Sequence, residues 1–199
     1  ALMEAFGDPN GTGTLLVTGT ESLVDANGVA YVGYSGRGIV DVNDGGAVET
    51  SQTMIGVAPG SSGEITVDGN DSSWLVSSNS DFSDWAEVYS GLMSVGGYGE
   101  GRLTIRNGGS VEVASTIFLG GYAAGGFAFD ANAIGYDPNG TGVITVTGLG
   151  SALTSSNILV GDAGQGTLEV LNGGQAGAST IVLVGADANG AGEVVVDGD

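Results

Sequence analysis

The sequence predicts an all-β chain wound as a right-handed parallel β-helix, a β-solenoid of about seven coils of ~24–25 residues. Three observations predict it. A glycine followed two and four residues later by an apolar pair occurs seven times, after Gly13, Gly38, Gly63, Gly101, Gly142, Gly166 and Gly192. A second set of apolar pairs runs up to Gly33, Gly56, Gly96, Gly120, Gly161 and Gly185. Finally, Asp8-Pro9-Asn10-Gly11-Thr12-Gly13 recurs unchanged as Asp137-Pro138-Asn139-Gly140-Thr141-Gly142, an offset of 129 residues.

The first strand of each coil carries Leu15/Val17, Val40/Val42, Ile65/Val67, Leu103/Ile105, Ile144/Val146, Leu168/Val170 or Val194/Val196. Side chains two apart share one face of a strand, so each pair points to the same side. The glycines before them are 25, 25, 38, 41, 24 and 26 residues apart, a period suited to stacked coils. The closing strand carries Ala30/Val32, Thr53/Ile55, Met93/Val95, Ile117/Leu119, Ile158/Val160 or Val182/Val184. A third short segment lies between them, clearest at Val111/Val113 and weaker at Ala176/Ala178. Each coil therefore reads as about three strands with glycine-rich corners. Equivalent strands of neighbouring coils are expected to pair in parallel, roughly 4.8 Å apart, giving a rod of about 34 Å for seven coil starts. The right hand follows from the general rule for parallel crossovers.

Two corner types alternate. One is Asp44-Gly45-Gly46, Asn107-Gly108-Gly109 and Asn172-Gly173-Gly174; the other is typified by Gly148-Leu149-Gly150-Ser151-Ala152-Leu153. Asx-Gly pairs suit corners that need positive φ. The offset of 129 also carries Gly63-Glu64-Ile65-Thr66-Val67-Asp68-Gly69 onto Gly192-Glu193-Val194-Val195-Val196-Asp197-Gly198. Residues 1–199 thus read as a single domain, about one and a half copies of a longer repeat. Neither end looks like a polar cap, so the expectation is a window of a longer array, with end-to-end stacking into a filament as the alternative.

There is no Cys, no His and no Lys; Arg37, Arg102 and Arg106 stand against 23 acids, for a net charge of −20. Such a charge argues against nucleic acid and anionic lipid surfaces as partners. It favours cations, basic partners or a saline medium. No stretch reads as a signal peptide or a membrane span, so membrane insertion is not expected. The 40 glycines follow no collagen period and fit corners.

The stretch Gly142-Val143-Ile144-Thr145-Val146-Thr147-Gly148-Leu149-Gly150-Ser151, continuing to Asn157-Ile158-Leu159-Val160-Gly161, resembles the repeat of bacterial type V autotransporter passengers and PEP-CTERM-associated surface proteins. So does Gly164-Gln165-Gly166-Thr167-Leu168-Glu169-Val170-Leu171-Asn172-Gly173-Gly174. The resemblance covers the chain apart from two insertions. It implies an exported, extracellular or cell-surface β-helical segment with structural or adhesive duty. It transfers no catalytic residues.

The insertions break the repeat. Residues 77–91 mix Phe82, Trp85 and Tyr89 with Asp81, Asp84 and Glu87, a composition that can bind glycans or dock a host or cell-surface protein. The plainer expectation is that these aromatics fold back onto the rod. Residues 121–136 carry Tyr122, Phe127, Phe129 and Tyr136, which suit packing on the rod or a contact between subunits.

Asp8/Asn10, Asp25/Asn27, Asp130/Asn132, Asp137/Asn139 and Asp187/Asn189 share an Asp-x-Asn spacing that can line a calcium loop. The full EF-hand pattern is absent, and at any one site an Asx turn at a coil corner is the favoured reading. No cofactor is required; calcium is the one candidate, at Asp8, Asn10, Asp137, Asn139, Asp187 and Asn189. Asn10, Asn70 and Asn139 open Asn-x-Ser/Thr sequons but read as turn residues. Without His, Cys or Lys, only acid-pair chemistry at Asp81, Asp84 and Glu87 remains, and an enzyme is not expected. The functional expectation is a structural or adhesive segment of a bacterial surface protein that pairs with itself. The alternative is carbohydrate binding or processing through residues 77–91.

Overall fold

The computed structural model describes residues 3–4, 10–78, 90–120, 139–185 and 188–198. Every regular element among them is a strand: β1 (Met3–Glu4), β2 (Thr12–Thr18), β3 (Leu23–Val32), β4 (Arg37–Asn43), β5 (Ala47–Ile55), β6 (Ser62–Asp68), β7 (Ser73–Val76), β8 (Leu92–Val95), β9 (Glu100–Arg106), β10 (Ser110–Leu119), β11 (Thr141–Thr147), β12 (Ala152–Val160), β13 (Gln165–Leu171), β14 (Gln175–Val184) and β15 (Ala191–Asp197). The strands form two wholly parallel sheets. One has seven strands in the order β2-β4-β6-β9-β11-β13-β15. The other has eight, in the order β1-β3-β5-β7-β10-β12-β14, with β8 pairing β5 and β10 alongside β7. The chain crosses from one sheet to the other after nearly every strand.

The register is the one the glycine spacing predicts. Gly13, Gly38, Gly63, Gly101, Gly142, Gly166 and Gly192 are successive Cα partners across the seven-stranded sheet. The two apolar positions after each glycine therefore form unbroken columns, Leu15 through Val194 and Val17 through Val196. In the other sheet Ala30, Thr53, Met93, Ile117, Ile158 and Val182 form one column, and Val32 to Val184 the next. From Val17 to Val170 the apolar members of these columns merge into one core cluster, while Val182, Val184, Val194 and Val196 are exposed. Aliphatic and β-branched side chains suit this place because each stacks on a near-identical neighbour along the pleated face.

One corner shows why glycine marks the closing strand. Gly56 has φ +66°, and a Cβ there would overlap the carbonyl of Glu100 at the start of β9. Both the backbone conformation and the close approach exclude a side chain. The other corner alternates as expected. Asp44, Asn107 and Asn172 take positive φ in one type (52°, 54°, 51°), Glu21 and Asp71 in the other (72°, 65°). Ser72 and Ser151 are fully buried in the second type. The Ser72 hydroxyl donates to the Asp68 carbonyl at 2.7 Å and accepts from the Gly45 amide at 3.0 Å. The Ser151 hydroxyl donates to the Thr147 carbonyl at 2.8 Å and accepts from the Gly108 amide at 3.1 Å. Each serine thus closes its own turn and ties it to the preceding Asx-Gly-Gly corner.

The three-strand reading needs correction. The middle segment and the closing strand are one long strand in β3, β5, β10, β12 and β14. The pairings slip at Ala26/Val29, Val113/Thr116 and Ser155/Asn157, where a bulge bends the strand without ending it. Asp25 and Asn27 lie in β3 at this irregularity, not at a corner. Only β7 and β8 are separate, and the first insertion leaves the sheet between them, where the other long strands slip.

Candidate functional site

Because the register is fixed, outward residues also stand in columns, and these columns hold the chemistry. On the seven-stranded sheet one column runs Thr14, Ile39, Glu64, Arg102, Val143, Thr167, Glu193. Another runs Thr18, Asn43, Asp68, Arg106, Thr147, Leu171, Asp197. All three cations of the chain, Arg37, Arg102 and Arg106, project from this face. Arg106 Nε lies 2.9 Å from Asp68 Oδ2, and Asn107 Nδ2 donates to the other oxygen of the same carboxylate at 2.7 Å. Arg37 Nη2 reaches Glu64 Oε2 at 3.5 Å. Both pairs are half in water, so each contributes at most about 1 kcal/mol and mainly fixes which strands sit side by side. Thr145 donates to Glu169 at 2.8 Å, and Asn172 Nδ2 to the Thr147 hydroxyl at 3.0 Å, continuing the ladder.

A shallow groove of about 310 Å³ crosses this face, lined by Arg37, Ser62, Glu64, Glu100, Arg102 and Thr141 among others. Among the described residues Arg102 makes no ion pair. The groove offers charged and hydroxyl groups, Arg37, Arg102, Glu64 and Glu100 beside Ser62 and Thr141.

Asp81, Phe82, Asp84, Trp85, Glu87 and Tyr89 lie outside the described residues. The feet of that insertion are described. The Ser77 amide donates to the Thr50 carbonyl at 2.9 Å, and the Gly91 amide to the Ser51 carbonyl at 2.7 Å. Both ends are therefore pinned to adjacent residues of β5. Beneath them Trp74 is buried in the core, its indole N–H donating to the Thr53 hydroxyl at 3.0 Å, which lies 3.0 Å from the Thr50 hydroxyl. The second insertion leaves after Gly120, at the glycine corner between β10 and β11.

Of the calcium candidates, Asp8, Asp137 and Asp187 lie outside the described residues. Asn10, Asn139 and Asn189 are exposed turn residues. Among the described residues no three Asp, Glu, His or Cys side chains converge on a point that could hold a metal ion.

Periodicity alone missed the charged columns. The available signal was the matched spacing of Glu64/Asp68 and Arg102/Arg106, each four residues apart, which the register turns into facing pairs. No family model, no curated protein and no solved structure matches this chain.

Proposed function

We propose that the two sheets are the walls of one continuously wound right-handed β-solenoid, and that this solenoid is a structural and adhesive segment outside a bacterial cell or on its surface. The observation that carries the reading is the unbroken glycine-to-glycine register of all seven strands, Gly13 to Gly192, with a single apolar core behind it. Such a stack resists bending and presents outward columns at a fixed pitch. Its net charge of −20 suits a saline exterior and keeps stacks apart laterally. Small-angle scattering and electron microscopy of the purified chain test this. Rods or fibres of uniform cross-section are expected, about 34 Å long for one copy. A globular envelope, or a helical circular-dichroism spectrum, would remove the solenoid.

One observation favours a second duty. The insertion at 77–91 is pinned at both feet to Thr50 and Ser51, so its length and composition can change without disturbing the sheets. It is a display loop on this reading, and its aromatic and acidic residues meet a glycan or a cell-surface protein. Replacing residues 79–89 by a short Gly-Ser link should leave the melting temperature within a few degrees. The same replacement should abolish binding on glycan arrays or to cells. Unchanged binding would return the loop to a purely structural role.

A further inference from the structure

Two pairs of opposite charges stand in matching positions on the outer face of the seven-stranded sheet, and only one of them closes. Glu64 and Asp68 on β6 have Arg102 and Arg106 as their Cα partners on β9. Asp68 accepts from Arg106 Nε at 2.9 Å and from Asn107 Nδ2 at 2.7 Å, so both of its oxygens are engaged. Glu64 turns instead to Arg37 on β4, at a loose 3.5 Å. Arg102 has no hydrogen bond or ion pair among the described residues, although an acid is its direct cross-strand partner. Facing opposite charges support a sheet when they close, so the open pair forgoes a contact that its neighbour makes. The groove of about 310 Å³ lies over this open pair, at the lower end of the size range of small-molecule sites. Glycines of β4, β6 and β9 contribute bare backbone to it, and Ser62, Glu64, Glu100, Arg102 and Thr141 contribute side chains. Ser62, Glu100 and Thr141 also have no side-chain partner among the described residues. β4, β6, β9 and β11 are all inner strands of the sheet, so neither sheet edge shapes the groove.

We propose that this groove binds a polyhydroxylated carboxylate, that is, a sugar acid. The Arg102 guanidinium takes the carboxylate, for which its planar pair of N–H donors is suited. Glu64 and Glu100 are acceptors only, so they call for donors, and ring hydroxyls supply them. Ser62 and Thr141 can donate or accept and complete the contacts. Glu100 and Arg102 are two apart on one strand, about 7 Å, a span that one sugar ring can bridge. A neutral sugar leaves Arg102 unmet, and a small carboxylate without hydroxyls leaves the glutamates unmet. The 23 acids of the chain repel a polyanion at long range. The ligand is therefore a free sugar acid, or a single acidic residue in an otherwise neutral glycan. This site is separate from residues 77–91, which leave the other sheet between β7 and β8.

Calorimetric titration of the full chain with D-glucuronate, D-glucose and acetate tests this, with saturation-transfer NMR as a second readout. Glucuronate should bind with a Kd in the millimolar range, and glucose and acetate each about tenfold or more weakly than that. Arg102→Gln should weaken glucuronate about tenfold and leave glucose unchanged. Arg106→Gln opens the closed pair on the same face and should leave glucuronate binding unchanged, as should a Gly-Ser link in place of residues 79–89. Circular dichroism checks that each variant keeps the β-type spectrum, as expected for changes to exposed side chains. A neutral oligosaccharide with one internal glucuronate that binds more tightly than the monosaccharide would make a glycan the source, and equal affinity would make it the free acid. Equal binding of glucose and glucuronate, or glucuronate binding untouched by Arg102→Gln, would overturn the proposal. Binding lost with residues 79–89 but kept in Arg102→Gln would move the site to the loop and overturn it too. So would the absence of glucuronate binding by the folded chain at tens of millimolar.

Discussion

A side chain's value in this chain depends on whether its neighbours in the adjoining strands leave room for it. Gly56 and Gly177 are the same residue in opposite circumstances. The first has positive φ and abuts the Glu100 backbone; nothing lies within 4 Å of a Cβ built on the second, which is exposed in β14. Gly56→Ala should cost about 3 kcal/mol or more, from backbone strain and overlap together. Gly177→Thr should stabilise by roughly 0.5 kcal/mol, since Thr154 is its cross-strand partner and β-branched pairs support a sheet. Urea titration of both variants decides the matter, and a loss at position 177 would refute the open-space argument. Trp74 gives a second contrast. Trp74→Phe keeps most of the buried ring and removes the bond to Thr53, so it should cost about 1 kcal/mol. Trp74→Ala leaves a cavity and should cost about 3–5 kcal/mol, read from the same titration.

Turns and long strands divide differently between what a sequence reveals and what it hides. The glycine and aliphatic columns were legible because the same residue types return at nearly fixed spacing. The alternation of corner types was legible because Asn-Gly-Gly has few other uses. The bend in the long strands was not, since Asn27-Gly28, Ala114-Ser115 and Ser156 at the three slips share no residue signature and read as breaks. Nor were the facing charges of β6 and β9 legible, because a pair 38 residues apart becomes visible only when the register is known. The serine corners make a testable claim. Ser72 is fully buried with two hydrogen bonds, whereas Ser22 is half-buried and donates only to the Thr18 carbonyl at 2.7 Å. Ser72→Ala should cost about 2 kcal/mol and Ser22→Ala about 0.5–1 kcal/mol, because the first removes a fully buried hydroxyl and leaves the half-buried Gly45 amide without its acceptor. Equal melting shifts for the two would show that the tie to Gly45 contributes nothing.

At the scale of the whole molecule, 23 acids against three arginines set the response to ions. Self-repulsion of the folded chain is relieved by screening, so the melting temperature should rise by several degrees between 10 and 500 mM NaCl, the shift falling off once the Debye length is below about 5 Å. Calcium and magnesium at matched ionic strength should then act alike. A rise specific to calcium and reversed by EDTA would instead assign ligand duty to the Asp-x-Asn corners, since a native-state ligand must stabilise. The candidate binding loop at 77–91 could be located from the sequence because it interrupts the repeat. Its chemistry could not be ranked, because aromatic and acidic residues serve equally for self-burial and for display.

The serine ties have a consequence for how such a chain can change length. Gly45 donates its amide to Ser72 and Gly108 to Ser151, so these two Asx-Gly-Gly corners each pass an amide to the serine corner that follows in the chain. Loss of a serine corner with its neighbouring strands would bring two Asx-type corners together and leave a half-buried amide without its acceptor. Loss or gain of one corner of each type together keeps the pairing. A deletion that removes one corner of each type should therefore keep the fold, whereas one that removes a single serine corner should need a rewritten partner corner.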